Sequence, residues 1–129
     1  MKIENAKAQM RKGVLEYCIL SLTQDKDMYS SDIISSLKEA ELIVVEGTLY
    51  PLLTRLKNAG LLIYRWEESK SGPPRKYYGI TDSGKSFLQE LNETWGNLVG
   101  AVSKITASEA PTSINDDLTK TNKKQDQND

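Results

Sequence analysis

Lys70, Arg75 and Lys76 flank a Ser71-Gly72-Pro73-Pro74 stretch, and Thr48, Tyr50, Thr54, Arg55, Lys57 and Asn58 fall within a single helix-length segment shortly before it. Such side chains donate and accept hydrogen bonds and present positive charge. Their chemistry is the gripping of a polyanion rather than the making or breaking of covalent bonds. Catalytic material is scarce by comparison. The chain has no histidine and one cysteine, so the usual zinc sites and the Ser-His or Cys-His nucleophile pairs cannot be built. No carboxylate cluster or glycine-rich phosphate loop stands out, and neither an enzyme nor a metal or cofactor is expected. Cys18 lies in the apolar run Tyr17-Cys18-Ile19-Leu20. It reads as a buried, inert thiol, since a redox sensor needs an exposed, activated thiolate.

The segment 46–59 is positioned by its own periodicity. At about 100° per residue, Leu49, Leu52, Leu53, Leu56 and Ala59 share an arc of roughly 120° and would hold the helix on a core. Tyr50, Thr54, Arg55, Lys57, Asn58 and, nearer the start, Thr48 face away from that arc. A helix in the major groove uses such groups for base edges and phosphates. A merely solvated helix face would carry similar residues, and the neighbouring hairpin is what distinguishes the two.

That hairpin is predicted from segments 61–69 and 75–81, rich in Tyr, Trp, Ile and Leu, with 71–74 as the loop between two strands. Its cationic tip could reach phosphates or the minor groove, or could simply be solvated. Tyr64, Trp66, Tyr77 and Tyr78 alternate along the strands and suit cross-strand packing more than base stacking. Upstream, residues 5–24 read as one helix with Met10, Val14, Tyr17, Cys18 and Leu22 on its apolar face. Lys26 and its flanking aspartates form a polar turn. Ser30 or Ser31 then caps a helix to about Ala40, with Asp32 favouring its dipole. Ser31 is also placed with the residues expected to meet DNA. The helix of segment 46–59 begins near Glu46 or Gly47, because Pro51 fits only about the first turn, and Gly60 terminates it. Thr81 caps a long last helix running to about 105–107.

The 129 residues allow one domain and a tail, with 38% hydrophobic and 27% charged residues. Formal net charge is −1, yet the residues from Ser108 onward carry three lysines against five acidic groups, so the body is nearly neutral. Where the basic groups cluster matters more than the total. The start, Met1 to Lys12, is polar and lacks a signal-like apolar region, and the cytoplasm is the expected compartment. Apolar runs are too short for a membrane span.

Glu46-Gly47-Thr48-Leu49-Tyr50-Pro51-Leu52-Leu53-Thr54-Arg55-Leu56-Lys57-Asn58-Ala59-Gly60-Leu61 resembles the signature of the PadR family of transcriptional regulators. Gly72-Pro73-Pro74-Arg75-Lys76-Tyr77-Tyr78-Gly79-Ile80-Thr81-Asp82-Ser83-Gly84 is similar to that family's wing and helix entry. The likeness covers about residues 8 to 105. It implies a dimeric winged-helix repressor without enzymatic activity, with Thr48 and Tyr50 in the major groove and the 70–76 wing beside it. A single helix after the wing resembles the shorter subclass of the family.

In that last helix Leu88, Leu91, Trp95, Leu98, Val102 and Ile105 are spaced 3, 4, 3, 4, 3, an a/d seam. A second copy would cover it, with Met10 of the first helix helping to clasp the pair. Folding of the seam back onto its own domain is the other way to bury it. Drug-responsive members of the short subclass resemble this chain in carrying a tryptophan here, which implies that a small aromatic effector could meet Trp95. Gly96, Val99 and Gly100 beside it supply no acid to attract a cationic compound.

The expected fold class is mainly α with a β-hairpin wing: a winged helix-turn-helix over 1–81, a dimerisation helix over 82–107 and a disordered tail over 108–129. The expected function is sequence-specific repression by a homodimer at an inverted-repeat operator in double-stranded DNA. A winged helix serving as a protein-interaction module is the alternative.

Overall fold

In the computed structural model the described residues are 1–107, and the tail expected from Ser108 lies outside them. Five helices and three strands follow in the order α1 (Ile3–Lys12), α2 (Leu15–Leu22), β1 (Met28–Tyr29), α3 (Ser30–Glu39), α4 (Glu46–Asn58), β2 (Leu62–Ser69), β3 (Gly72–Ile80) and α5 (Asp82–Thr106). A winged helix with a β-hairpin wing, as expected from the patterning, is the result.

The single helix expected over 5–24 is two. Gly13 and Val14 form a turn, closed by the Val14 N–H on the Arg11 carbonyl at 3.0 Å. That turn resets the helical phase, so Leu15, Ile19 and Leu20 enter the core, whereas Met10 is 81% exposed and α1 buries nothing. The Gly13 position faces open space, so close packing does not account for the glycine.

Ser30 and Ser31 do not cap α3. They are its first residues, and Tyr29 precedes it as N-cap. The orphan Tyr29 N–H donates to Asp32 Oδ2 at 3.1 Å, the reaching-back half of a capping box. At the other end Glu41 takes a left-handed backbone (φ 67°), with Glu41 N–H on Lys38 O and Leu42 N–H on Leu37 O, both 2.8 Å. This is a Schellman closure with a glutamate where glycine is favoured. The same closure ends α4 with the residue it prefers. Gly60 has φ 79°, and Gly60 and Leu61 donate to Lys57 and Leu56 carbonyls at 3.0 Å.

Helix α4 starts at Glu46 as expected, but Pro51 is its sixth residue, past the first turn. Its missing N–H leaves the Gly47 carbonyl without an intrahelical donor. The helix survives because Leu49, Leu53 and Leu56 are buried in the core with Ile33 and Leu37 of α3 and Leu15, Ile19 and Leu20 of α2.

Two strands were expected, and the sheet has three, ordered β1-β3-β2 and antiparallel throughout. Residues 28–29, next to the predicted polar turn, pair with Tyr77 and Tyr78. A two-residue strand is too short for any periodicity to announce. Nor is 72–74 a loop: Ser69 pairs with Gly72, so Lys70 and Ser71 make the turn. The register slips between Glu67 and Ser69, and β3 takes up the extra residue as a bulge around Pro73 and Pro74. The prolines lie beyond the reach of the short β1, where β3 has no second neighbour to lose a hydrogen bond to.

Thr81 caps α5 as expected, accepting from Gly84 N–H at 2.9 Å while its hydroxyl donates to Gly60 O at 2.7 Å. One compact unit spans Met1–Leu91 and a second begins at Asn92. The first unit reaches into α5, where Leu88 is buried in the core and Leu91 packs against it. These two are used within the protomer's own fold and leave the predicted seam to Trp95, Leu98, Val102 and Ile105. All four are exposed, as is Val99 between them.

Replacing Gly84 by alanine would drive a methyl group into the Leu61 carbonyl oxygen and to 2.6 Å from Ile80 Cγ1. Gly84→Ala is expected to destabilise the fold by roughly 1–3 kcal/mol, the scale of overpacking. Glu41→Gly should instead stabilise it by about 1 kcal/mol, by relieving the left-handed backbone. Urea titration followed by circular dichroism checks both.

Candidate nucleic-acid interface

Burial of one face of α4 fixes where the other points. With Leu49, Leu53 and Leu56 inward, Tyr50, Thr54, Lys57 and Asn58 emerge on the side facing the hairpin. There Tyr64 pairs with Tyr78 and Trp66 with Lys76, so all four project from one sheet face. The result is two adjoining grooves. One, of about 260 Å³, is lined by Tyr29, Ser30, Tyr50, Thr54, Trp66, Pro74, Arg75, Lys76 and Tyr78. The other, of about 120 Å³, runs along Thr54, Lys57, Asn58, Tyr64, Lys76 and Tyr78. Among the described residues no carboxylate lines either groove.

The cations are held by aromatic rings. Lys76 Nζ lies 4.5 Å from the Tyr64 centroid and 5.4 Å from that of Trp66, and Lys57 Nζ lies 5.8 Å from Tyr64. Arg75 sits 4.6 Å over Tyr29. The ring quadrupole orients each cation without neutralising it, so its charge remains available to an anion. Tyr64 meets Tyr78 at 5.7 Å and Trp66 edge-on at 6.0 Å, which is the expected packing. Burial above all, then the Tyr50 and Tyr64 phenols, pushes the Tyr78 phenol up from its ordinary value. The Tyr78 phenol therefore adds no negative charge to the groove at neutral pH.

Asp27 and Glu67, next to the wing, are occupied elsewhere. Arg65, on alternate parity to Tyr64 and Trp66, binds Asp27 at 2.9 Å and also Glu67, with Tyr77 beneath it at 5.3 Å. Asp27 also crowds the backbone at Gly79, where a side chain would collide with its carboxylate.

The structure thus brings together Tyr50, Thr54, Lys57, Asn58, Arg75 and Lys76 of the predicted set. Lys70 is exposed in the turn, and Ser31 is exposed on the first turn of α3. Thr48 lies apart from the wing, lining a separate groove with Arg11 and Lys12 of α1. Arg55 is drawn the other way, to Glu16 of α2 at 3.1 Å. The helix angle explains it, since residue 55 is turned by about 100° from Thr54. Sequence reasoning missed Tyr29 and Ser30, whose approach depends on β1, and it favoured packing over base stacking for Trp66, a residue that is 61% exposed and lines the groove. An aromatic beside Arg65 and Glu67 on a hairpin strand was the available signal.

Among the described residues there is no group of side chains suited to a metal ion, and no helix is long and apolar enough to cross a membrane.

A family model described as the transcriptional regulator PadR-like family matches residues 19–90, which include both grooves. The chain belongs to the PadR-like family of transcriptional regulators. This PadR-like regulator is 62% identical to a PadR-like transcription factor from Bacteroides fragilis, with a TM-score of 0.67, 79% of this chain covered and 99% of that one. A PadR family regulator from Eggerthella lenta is 32% identical with a TM-score of 0.75, covering 83% and 94%. An uncharacterised protein from Lysinibacillus sphaericus is 33% identical over 90 residues, 67% of this chain and 83% of its own length.

Cys18 of the PadR-like regulator is half-buried on α2, and burial pushes its thiol above the ordinary range. Less thiolate exists at neutral pH than in free cysteine. Ellman's reagent at pH 7.5 should therefore react more slowly with the folded protein than with the same protein in urea, and the gap should narrow as pH rises. Equal rates in both states at pH 7.5 would contradict this.

Proposed function

We propose that the chain is a sequence-specific DNA-binding repressor that acts as a homodimer at an inverted-repeat operator. The carboxylate-free grooves between α4 and the wing carry this reading, with hydrogen-bonding tips on the helix and oriented cations on the hairpin. Helix α4 enters the major groove, Tyr50, Thr54 and Asn58 meet bases or sugar-phosphate, and Lys57, Arg75, Lys76 and Lys70 neutralise phosphates. Thr48 and Ser31 approach the backbone on the flanks. Arg55 contributes little, because Glu16 already holds it. A second copy covers the exposed Trp95, Leu98, Val102 and Ile105, and the exposed Met10 of α1 is a further contact point for that copy. Two-fold symmetry then requires half-sites about one helical turn apart, or a multiple of it. An aromatic effector at Trp95 would lift repression if it bound better to a dimer whose recognition helices are wrongly spaced for DNA. Such a regulator works where the chromosome is, in the cytoplasm.

Selection of bound fragments from genomic DNA supplies the operator and tests the reading: recovery of palindromic sites supports it, and recovery of none favours a protein-interaction module. On the selected site, Tyr50→Ala should weaken specific binding by roughly ten- to a hundredfold. Lys76→Ala should weaken all sequences alike and lower the slope of log affinity against log salt by about one. Arg55→Ala should change that slope less than Lys76→Ala does. Gel-shift titration at several salt concentrations measures all three, with melting curves to confirm that each variant is folded.

A further inference from the structure

Ser30 is 2% exposed, and its hydroxyl lies 3.0 Å from the phenol oxygen of Tyr50, whose side chain is 43% exposed in the groove. Ser30 stands at a junction. It is the first residue of α3, directly after β1, and β1 is tied to the wing through Met28–Tyr78 and Tyr29–Tyr77 pairs. Arg75 rests over Tyr29. One buried hydroxyl therefore links the strand that holds the wing to the recognition helix.

The two hydroxyls share one hydrogen bond, and either proton could fill it. Burial separates the two cases. Among the described residues, Tyr50 is the one hydrogen-bonding neighbour of the Ser30 side chain. If Tyr50 donated, the serine proton would have no protein acceptor on a side chain that is 2% exposed and meets only the edge of the groove, which costs more than an under-used lone pair. With Ser30 donating, both protons are placed: the serine proton on the phenol oxygen and the phenol proton directed into the groove.

We infer that Ser30 positions Tyr50 and fixes its hydroxyl as an outward donor, so that the DNA group read by Tyr50 is an acceptor: a purine N7, a keto oxygen or a phosphate oxygen. This rests on the DNA-binding reading above. Amino groups of adenine N6 or cytosine N4, which are donors, are disfavoured at this point. Donation from Ser30 also polarises the phenol and strengthens its onward bond.

A double-mutant cycle on the selected operator tests the link. Tyr50→Phe should lower specific affinity about three- to tenfold, the range of one hydrogen bond. Ser30→Ala should lower it by a similar or smaller factor. The double variant should bind no more weakly than Tyr50→Phe alone; binding to random-sequence DNA should stay unchanged for a base acceptor and fall in parallel for a phosphate oxygen. Additive losses, or a Ser30→Ala variant that melts like the wild type and binds like it, would overturn the positioning role. Tyr50→Phe without effect would show that the Tyr50 hydroxyl reads no DNA acceptor and would overturn the inference.

Polarity is read separately with the folded wild type and Tyr50→Phe, so it does not depend on the serine variant. The operator is scanned one position at a time with 7-deazapurines, analogues lacking guanine O6 or thymine O4, and methylphosphonates. One acceptor deletion should weaken the wild type and have no effect on Tyr50→Phe. That pattern appearing only for deletion of an amino group, such as purine for adenine, would reverse the assignment and refute it.

Discussion

Helix α4 has a single rotational setting, and the rest of the site follows from it. Leu49 and Leu53 are fully buried and Leu56 nearly so, against α2 and α3. Burying three leucines at about 2 kcal/mol each outweighs the hydrogen bond lost at Pro51. With that face pinned, geometry leaves no freedom to the others: Tyr50 and Thr54 turn toward the wing, Lys57 and Asn58 continue the line, and Arg55 swings to Glu16. A rotation of one residue would withdraw leucines from the core and break the groove together.

The wing is set by a second, weaker constraint. Its aromatic ladder of Tyr64, Tyr78 and Trp66 faces α4, while β1 clamps the base of β3. Cations are then placed on rings rather than on carboxylates. Arg65 draws Asp27 and Glu67 to itself, which leaves the groove face free of carboxylates even though the chain's net charge is −1. Charge distribution rather than charge total is what a polyanion meets.

Much of this was legible in the sequence because long periodic segments state their faces. The leucine stripe of 46–59, the Gly60 and Thr81 boundaries and the hairpin all follow from local chemistry. The failures share a cause as well. Gly13 breaks a helix through a turn that periodicity alone reads as continuous. Met28–Tyr29 becomes a strand only because β3 is beside it. Pro73 and Pro74 enter a strand because the bulge and the missing neighbour tolerate them. Leu88 and Leu91 keep seam spacing but are claimed by the core, since a spacing does not say which apolar surface arrives first. At the site, the helix-borne residues were visible as a face, whereas Ser30 is recognisable only from its contact across twenty positions of sequence.

Backbone amide chemical shifts, recorded as a palindromic operator is added, test the central claim most directly. Perturbations are expected to concentrate in Glu46–Asn58 and in the hairpin around Lys70 to Lys76, with a second set at Tyr29 and Ser30. Shifts confined to other surfaces, with α4 and the wing undisturbed at saturation, would contradict it.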